Sequence, residues 1–198
     1  MSAQAQLAYV SSEKDNALAI VDVKTQSVVG HIPTCKRPRH MALSADRKQL
    51  MTACGDSGQL DVIDLATRKS LRRVSLGEDP EAFDLSPDGK TLYVSNEEDG
   101  ELGIVDLASG KRTQGIEVGK EPEGVKVSAD GKTVYVTSEV ASLVHVIDVA
   151  SGKVLLAQVG SAERVELLVA GAAARRVMAY QRHASPGAVL LGRATYAA

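Results

Sequence analysis

Three short charged segments recur along this chain at a spacing of 42 residues: Lys36-Arg37-Pro38-Arg39-His40, Glu78-Asp79-Pro80-Glu81-Ala82 and Lys120-Glu121-Pro122-Glu123-Gly124. Arg37, Asp79 and Glu121 occupy one position of the repeat, and Arg39, Glu81 and Glu123 another. One basic segment beside two acidic ones can form a charged rim that receives a polar ligand or a loop of a partner protein. The plainer reading is a solvated rim whose ion pairs contribute little each. No pair of carboxylates stands out as a general acid and base, because nothing beyond the repeat sets one apart. His40 is the histidine best placed to touch a ligand. His31, His40, His145 and His183 form no i,i+4 pair and no H-E-x-x-H, so the sequence indicates no metal site.

A second set of carboxylates, Asp22, Asp64, Asp106 and Asp148, keeps the same 42-residue spacing. Each is followed three residues on by Thr25, Thr67, Ser109 or Ser151. Catalysis needs one specialised carboxylate in one pocket, whereas an aspartate in every repeat reads as structural. Such a side chain accepts backbone N–H groups of the next turn, and the hydroxyl does likewise. There is no G-x-S-x-G, no phosphate-binding loop and no dinucleotide fingerprint.

The elements that carry these residues are short. Within Pro80–Gly119 the apolar runs Ala82–Leu85, Thr91–Ser95, Leu102–Val105 and Gly115–Val118 alternate with the turn signals Ser86-Pro87-Asp88-Gly89, Glu97–Gly100 and Ala108-Ser109-Gly110-Lys111. Strand-length runs with turns every eight to twelve residues predict a four-stranded antiparallel meander. A four-stranded unit repeating near forty residues is the signature of a β-propeller blade. Residues 7–34 supply three strands, Leu7–Ser11, Leu18–Val21 and Val28–Pro33, and residues 38–76, 80–118 and 122–159 supply complete units. The inner strands are expected at His40–Ser44, Ala82–Ser86 and Gly124–Ser128. Gly89 and Gly131 provide the left-handed residue of the following turn, and Arg47 stands where the third such glycine belongs, at a cost of about 1–2 kcal/mol if the conformation is kept.

After Gly160 the text changes. Residues 161–198 contain no Asp, Lys or Asn, and the repeat landmarks are gone. Val165–Val169 reads as one more apolar strand, Gly171–Arg182 as weakly helical, and residues 1–6 and the far C-terminus as disordered. The expected architecture is an all-β propeller of about four blades, an open arc. The alternative is a small ring, closed by Val165–Val169 acting as the missing inner strand of the first blade.

Composition narrows the function classes. The net charge is −2 with 24% charged residues, so the basic footprint of a nucleic-acid binder is missing. No apolar run approaches the ~20 residues of a membrane-spanning helix. With one Phe, five Tyr and no Trp, the core must be built from Val, Ile, Leu and Ala. Ser2-Ala3-Gln4-Ala5 looks like the small-residue tail of an export cleavage site, and a disordered N-terminus is the other reading. Cys35 and Cys54 lack metal-site spacing, and no C-x-x-C-H haem attachment exists. Both fall at the same end of one inter-blade region, so an exported chain can join them, although two cysteines do not by themselves require it.

Tyr93-Val94-Ser95-Asn96, Val146-Ile147-Asp148-Val149-Ala150 and Ser86-Pro87-Asp88-Gly89-Lys90 resemble the repeats of YVTN-type β-propeller proteins. Asn16 with Ile20-Val21-Asp22, Arg37-Pro38-Arg39, Asp79-Pro80-Glu81 and Glu121-Pro122-Glu123-Gly124 are similar to one branch of them. That branch comprises periplasmic propellers encoded beside pyrroloquinoline-quinone (PQQ)-dependent alcohol oxidation systems in proteobacteria. The resemblance covers residues 7–160 and implies a periplasmic location and an architecture close to the haem d1 propeller of nitrite reductase. Family members form seven-bladed rings, and this chain departs by stopping short of that number. No motif supports haem or PQQ as a bound cofactor. The function expected is a non-enzymatic binding or scaffold protein that meets a protein partner through its rim, with self-association through open blade edges. The alternative is a redox or hydrolytic enzyme that holds a cofactor or substrate in the channel, since propeller enzymes build sites from scattered residues.

Overall fold

The computed structural model describes residues 6–140, 143–160 and 165–169. Its strands, in chain order, form four antiparallel sheets that follow one another like blades. Blade one holds β1 (Leu7–Ser12), β2 (Ala17–Asp22) and β3 (Ser27–Pro33). Blade two holds β4 (Pro38–Leu43), β5 (Gln49–Cys54), β6 (Gln59–Asp64) and β7 (Lys69–Ser75). Blade three holds β8 (Pro80–Leu85), β9 (Thr91–Asn96), β10 (Glu101–Asp106) and β11 (Lys111–Glu117). Blade four holds β12 (Pro122–Val127), β13 (Thr133–Ser138), β14 (Leu143–Asp148), β15 (Lys153–Gly160) and β16 (Val165–Val169). Among the described residues the architecture is all-β, about four blades of an incomplete propeller.

Two expectations are adjusted. The inner strands begin at Pro38, Pro80 and Pro122 and end one residue before the serine. Proline is tolerated at the first residue of a strand. Ser44, Ser86 and Ser128 are turned into the following hairpin, where each hydroxyl accepts the N–H five residues on, at 2.9–3.0 Å. The strand Val165–Val169 exists, but it pairs with β15, Val159 opposite Glu166, rather than with β1. It therefore lies on the outer edge of blade four and does not serve as an inner strand of blade one. Residues 1–5 and the expected helix at 171–182 lie outside the described residues.

The repeat is written into the backbone more strictly than into the side chains. Left-handed φ values recur at Asn16, Gly58 and Gly100, at Gln26, Arg68, Gly110 and Gly152, at Arg37, Asp79 and Glu121, and at Arg47, Gly89 and Gly131. Arg47 adopts φ 57° in the place where Gly89 has 70°, so the turn keeps its shape and the side chain bears the strain. Register slips recur too, between Ile20 and Val21, Val62 and Ile63, Ile104 and Val105, and Val146 and Ile147.

The core lies between blades, because strand alternation sends every second side chain to each neighbour. Leu18, Ile20 and Ile32 meet Leu50 and Ile63 between blades one and two. Leu60, Val62 and Val74 meet Phe83, Leu92 and Val105 between two and three. Tyr93, Leu102 and Ile116 meet Val134, Val136 and Ile147 between three and four. The outermost strands of blades two and three carry Lys69, Arg72 and Arg73, and Lys111 and Arg112. That of blade one reads Ser-Val-Val-Gly-His-Ile-Pro.

Candidate functional site: the rim between blades two and three

The rim loops run from the last strand of one blade to the first of the next. Arg37, in the loop before blade two, and Arg39, in β4, converge on Glu81 in β8 of blade three. Arg37 Nη2 donates to Glu81 Oε1 at 2.8 Å, and Arg39 Nη2 contacts the other carboxylate oxygen. Arg37 Nη1 also pairs with Asp79 at 3.1 Å and with Asp56 at 3.4 Å, and Glu13 lies 3.6 Å from Arg39. Arg37 and Asp79, equivalent in the repeat, therefore pair with each other across a blade boundary. Both have left-handed backbones in front of a proline, a conformation that costs on the order of 1 kcal/mol and persists only where surroundings enforce it.

Glu81 is the specialised carboxylate that the repeat conceals. Its side chain is 2% exposed. Burial, together with Glu97, Glu123 and Asp79 nearby, outweighs Arg39 and pushes its pKa up to about 7. Glu123 is raised as well, by burial and by Glu97 and Glu139. Oxygens of Asp79, Glu81 and Glu97 lie within 4.8 Å of one another, a set of hard ligands that a cation could share, although Arg37 and Arg39 already pair with two of the three. Glu121 stands apart, in a hollow of about 380 Å³ lined by Glu97, Glu98, Asp99, Glu117 and Lys120. His40 faces a second hollow of about 390 Å³ shared with Ser11, Glu13, Arg39, Glu81 and Glu123. Its ring stands edge-on to Phe83 at 4.9 Å, and burial, with Lys126 aiding and Asp84 opposing, lowers its pKa.

A disulfide joins Cys35 to Cys54, with Cα atoms 5.8 Å apart, and pins the loop that carries Arg37. The homologous fastenings are weaker. In blade three Asn96, equivalent to Cys54, donates to the carbonyls of Leu76 and Glu78 at 3.1 and 3.0 Å. In blade four Ser138 donates to the Val118 carbonyl at 3.4 Å. The loop before blade two is further held by Gly55 N–H on the Arg37 carbonyl and Arg37 N–H on Asn16 Oδ1, both 2.9 Å. Beneath it Asp61, fully buried, accepts from Thr34 at 2.8 Å and from Ser70.

The aspartates Asp22, Asp64, Asp106 and Asp148 sit far from this rim, in third-to-fourth strand turns. Each accepts the N–H three residues on, at 2.7–2.9 Å. Hydroxyls of Thr67, Ser109 and Ser151 hold Asp64, Asp106 and Asp148 below the usual carboxylate range. Sequence reasoning missed Glu13, Asp56 and Glu97. The signal was available, because second-to-third strand loops face the same end as the rim loops.

No family model matches this chain, and no curated protein sequence matches it. Its fold is similar to 1160 solved chains, a breadth that marks an architecture in wide use rather than one activity. One of them is hydrazine synthase of Kuenenia stuttgartiensis, 25% identical with a TM-score of 0.67, over 81% of this chain and 46% of that one. The chain thus spans less than half the length of that relative. A propeller-like fold is what the likeness supports.

Proposed function

We propose that this chain is a non-enzymatic binding propeller whose rim holds a protein partner, in the periplasm and in the setting of PQQ-dependent alcohol oxidation. The observation that carries the reading is a rim fixed before contact: Arg37, Arg39 and Glu81 lock two blades together, and Cys35–Cys54 pins the loop between them. A surface already held in one arrangement loses little conformational freedom on binding. The neighbouring boundary, between blades three and four, presents an acidic stretch, with Glu98, Asp99, Glu117 and Glu121 beside Lys120, which favours a partner presenting lysine or arginine. The disulfide supports an oxidising compartment. The likeness of Asn16 with Ile20-Val21-Asp22, Arg37-Pro38-Arg39, Asp79-Pro80-Glu81 and Glu121-Pro122-Glu123-Gly124 to one branch of YVTN-type propellers supports the alcohol-oxidation setting.

The test is binding to the quinone-dependent alcohol dehydrogenase and to its electron acceptor from the native host, followed by interferometry across salt concentrations. Saturable binding that weakens with salt and is lost in Glu98→Lys/Glu121→Lys is expected. Absence of binding to both would refute the setting, and a haem or quinone absorption band in protein purified from that host would overturn the scaffold reading. Glu81 favours a second reading, a redox or hydrolytic enzyme acting on a substrate in the channel, because a buried carboxyl titrating near neutrality suits proton transfer. Its mark would be an activity lost in Glu81→Gln and retained in Glu98→Lys.

A further inference from the structure

Each blade turns a fully buried face to the blade before it: Leu50 and Ile63 in blade two, Leu92 and Val105 in blade three, Val134 and Ile147 in blade four, all at most 3% exposed. The equivalent positions of blade one are Ala8 and Val21, which pair across β1 and β2. Val10 opposite Ala19, and Val28 opposite Val21, extend the same face. This face is aliphatic at each of these positions and, among the described residues, no other blade covers it: Val10 is 51% and Val28 57% exposed. A contiguous apolar face of this kind on a water-facing surface marks an interface.

Blade four offers the matching half. In blade three the residues pressed onto blade four are Tyr93, Leu102 and Ile104. Blade four repeats them as Tyr135, Val144 and Val146, with Tyr135 opposite Val146, and these are partly exposed. The two uncovered faces are therefore the two halves of an interface that the chain already forms three times within itself, and neither half carries a charge at these positions.

We infer that the Tyr135/Val144/Val146 face of blade four docks on the Ala8/Val10/Val21 face of blade one of a second copy of this chain, head to tail. The contact is heterologous, so each copy keeps one face of each kind engaged or available. The internal boundaries supply both the register and the chemistry of the contact. This goes beyond the rim reading and does not depend on it.

Sedimentation velocity of the 198-residue chain tests it, with species at or above twice the 20.8 kDa chain mass expected. Val21→Glu and Val146→Glu each place an unpaired charge in one half and should weaken association by roughly tenfold or more. Val10→Glu, at a position exposed in the single chain, repeats the blade-one test where folding is not in question. Mixing Val10→Glu with Val146→Glu restores a dimer, because each brings the intact half that the other needs. A wild-type chain that stays monomeric overturns the inference, whatever else covers those faces. So does a Val146→Glu chain that associates like wild type, or a mixture of folded variants that remains monomeric.

Discussion

Replacing both disulfide cysteines with alanine measures how firmly the rim is held. Cys35 and Cys54 are separated by 19 residues, and opening a loop of that size returns about 3 kcal/mol of conformational entropy to the unfolded chain. Loss of two buried sulfurs adds roughly another 1 kcal/mol through the void they leave. The variant still folds, because the Arg37 carbonyl and the N–H groups of Lys36 and Arg37 keep their hydrogen bonds to Gly55, Ser57 and Asn16. In a chain of this size the combined loss corresponds to a fall in Tm of roughly 8–16 °C. Scanning calorimetry of the oxidised wild type, the wild type under reductant and Cys35→Ala/Cys54→Ala reads it directly. The homologous positions set an order: the cysteine pair should cost most, Asn96→Ala about 1–2 kcal/mol and Ser138→Ala less than that. A cysteine variant melting within about 2 °C of wild type, or costing less than Asn96→Ala, would refute the reasoning.

Other expectations are as direct. The folded pKa of Glu81, about 7, lies above its ordinary 4.5, so folding takes up a proton there. The associated stability is complete below about 4.5 and is lost as the pH rises through about 7; melting curves at several pH values show this slope, and Glu81→Gln flattens it. Phe83, 1% exposed between blades two and three, should cost about 3–5 kcal/mol when cut to alanine, read from denaturant midpoints. Arg47→Gly should stabilise by about 1 kcal/mol, since the backbone there is already left-handed, and an unchanged or lower midpoint would argue that the arginine makes a compensating contact.

The fold was legible because its signal is a spacing. Asp22 to Asp148 and Pro38 to Pro122 mark the blades whatever lies between them, and the inter-blade cores follow from alternation. The site was legible only as a set of equals. Glu81 and Glu123 are the same letter at the same repeat position, yet only Glu81 receives two arginines, because the loop one blade earlier carries Arg37 and Arg39 where the next carries Asp79 and Glu81. Burial and pKa belong to that pairing between successive repeats, and no single segment contains it. The disulfide was open for the same reason, since Cys54 stands where the other blades put asparagine and serine. The place of β16 depended on which edge was free to accept it, a property of the assembled sheets.

The outer strands carry a consequence for solubility. A sheet edge is a template for adding foreign strands, and positive charge is the usual deterrent. Blade two guards its edge with Lys69, Arg72 and Arg73, and blade three with Lys111 and Arg112. The edge strand β3 has no lysine or arginine and shows Val28 and Val29 to water. Crowded or heated solutions of this chain are therefore expected to aggregate through Ser27–Pro33, and Val29→Lys should delay the onset of light scattering.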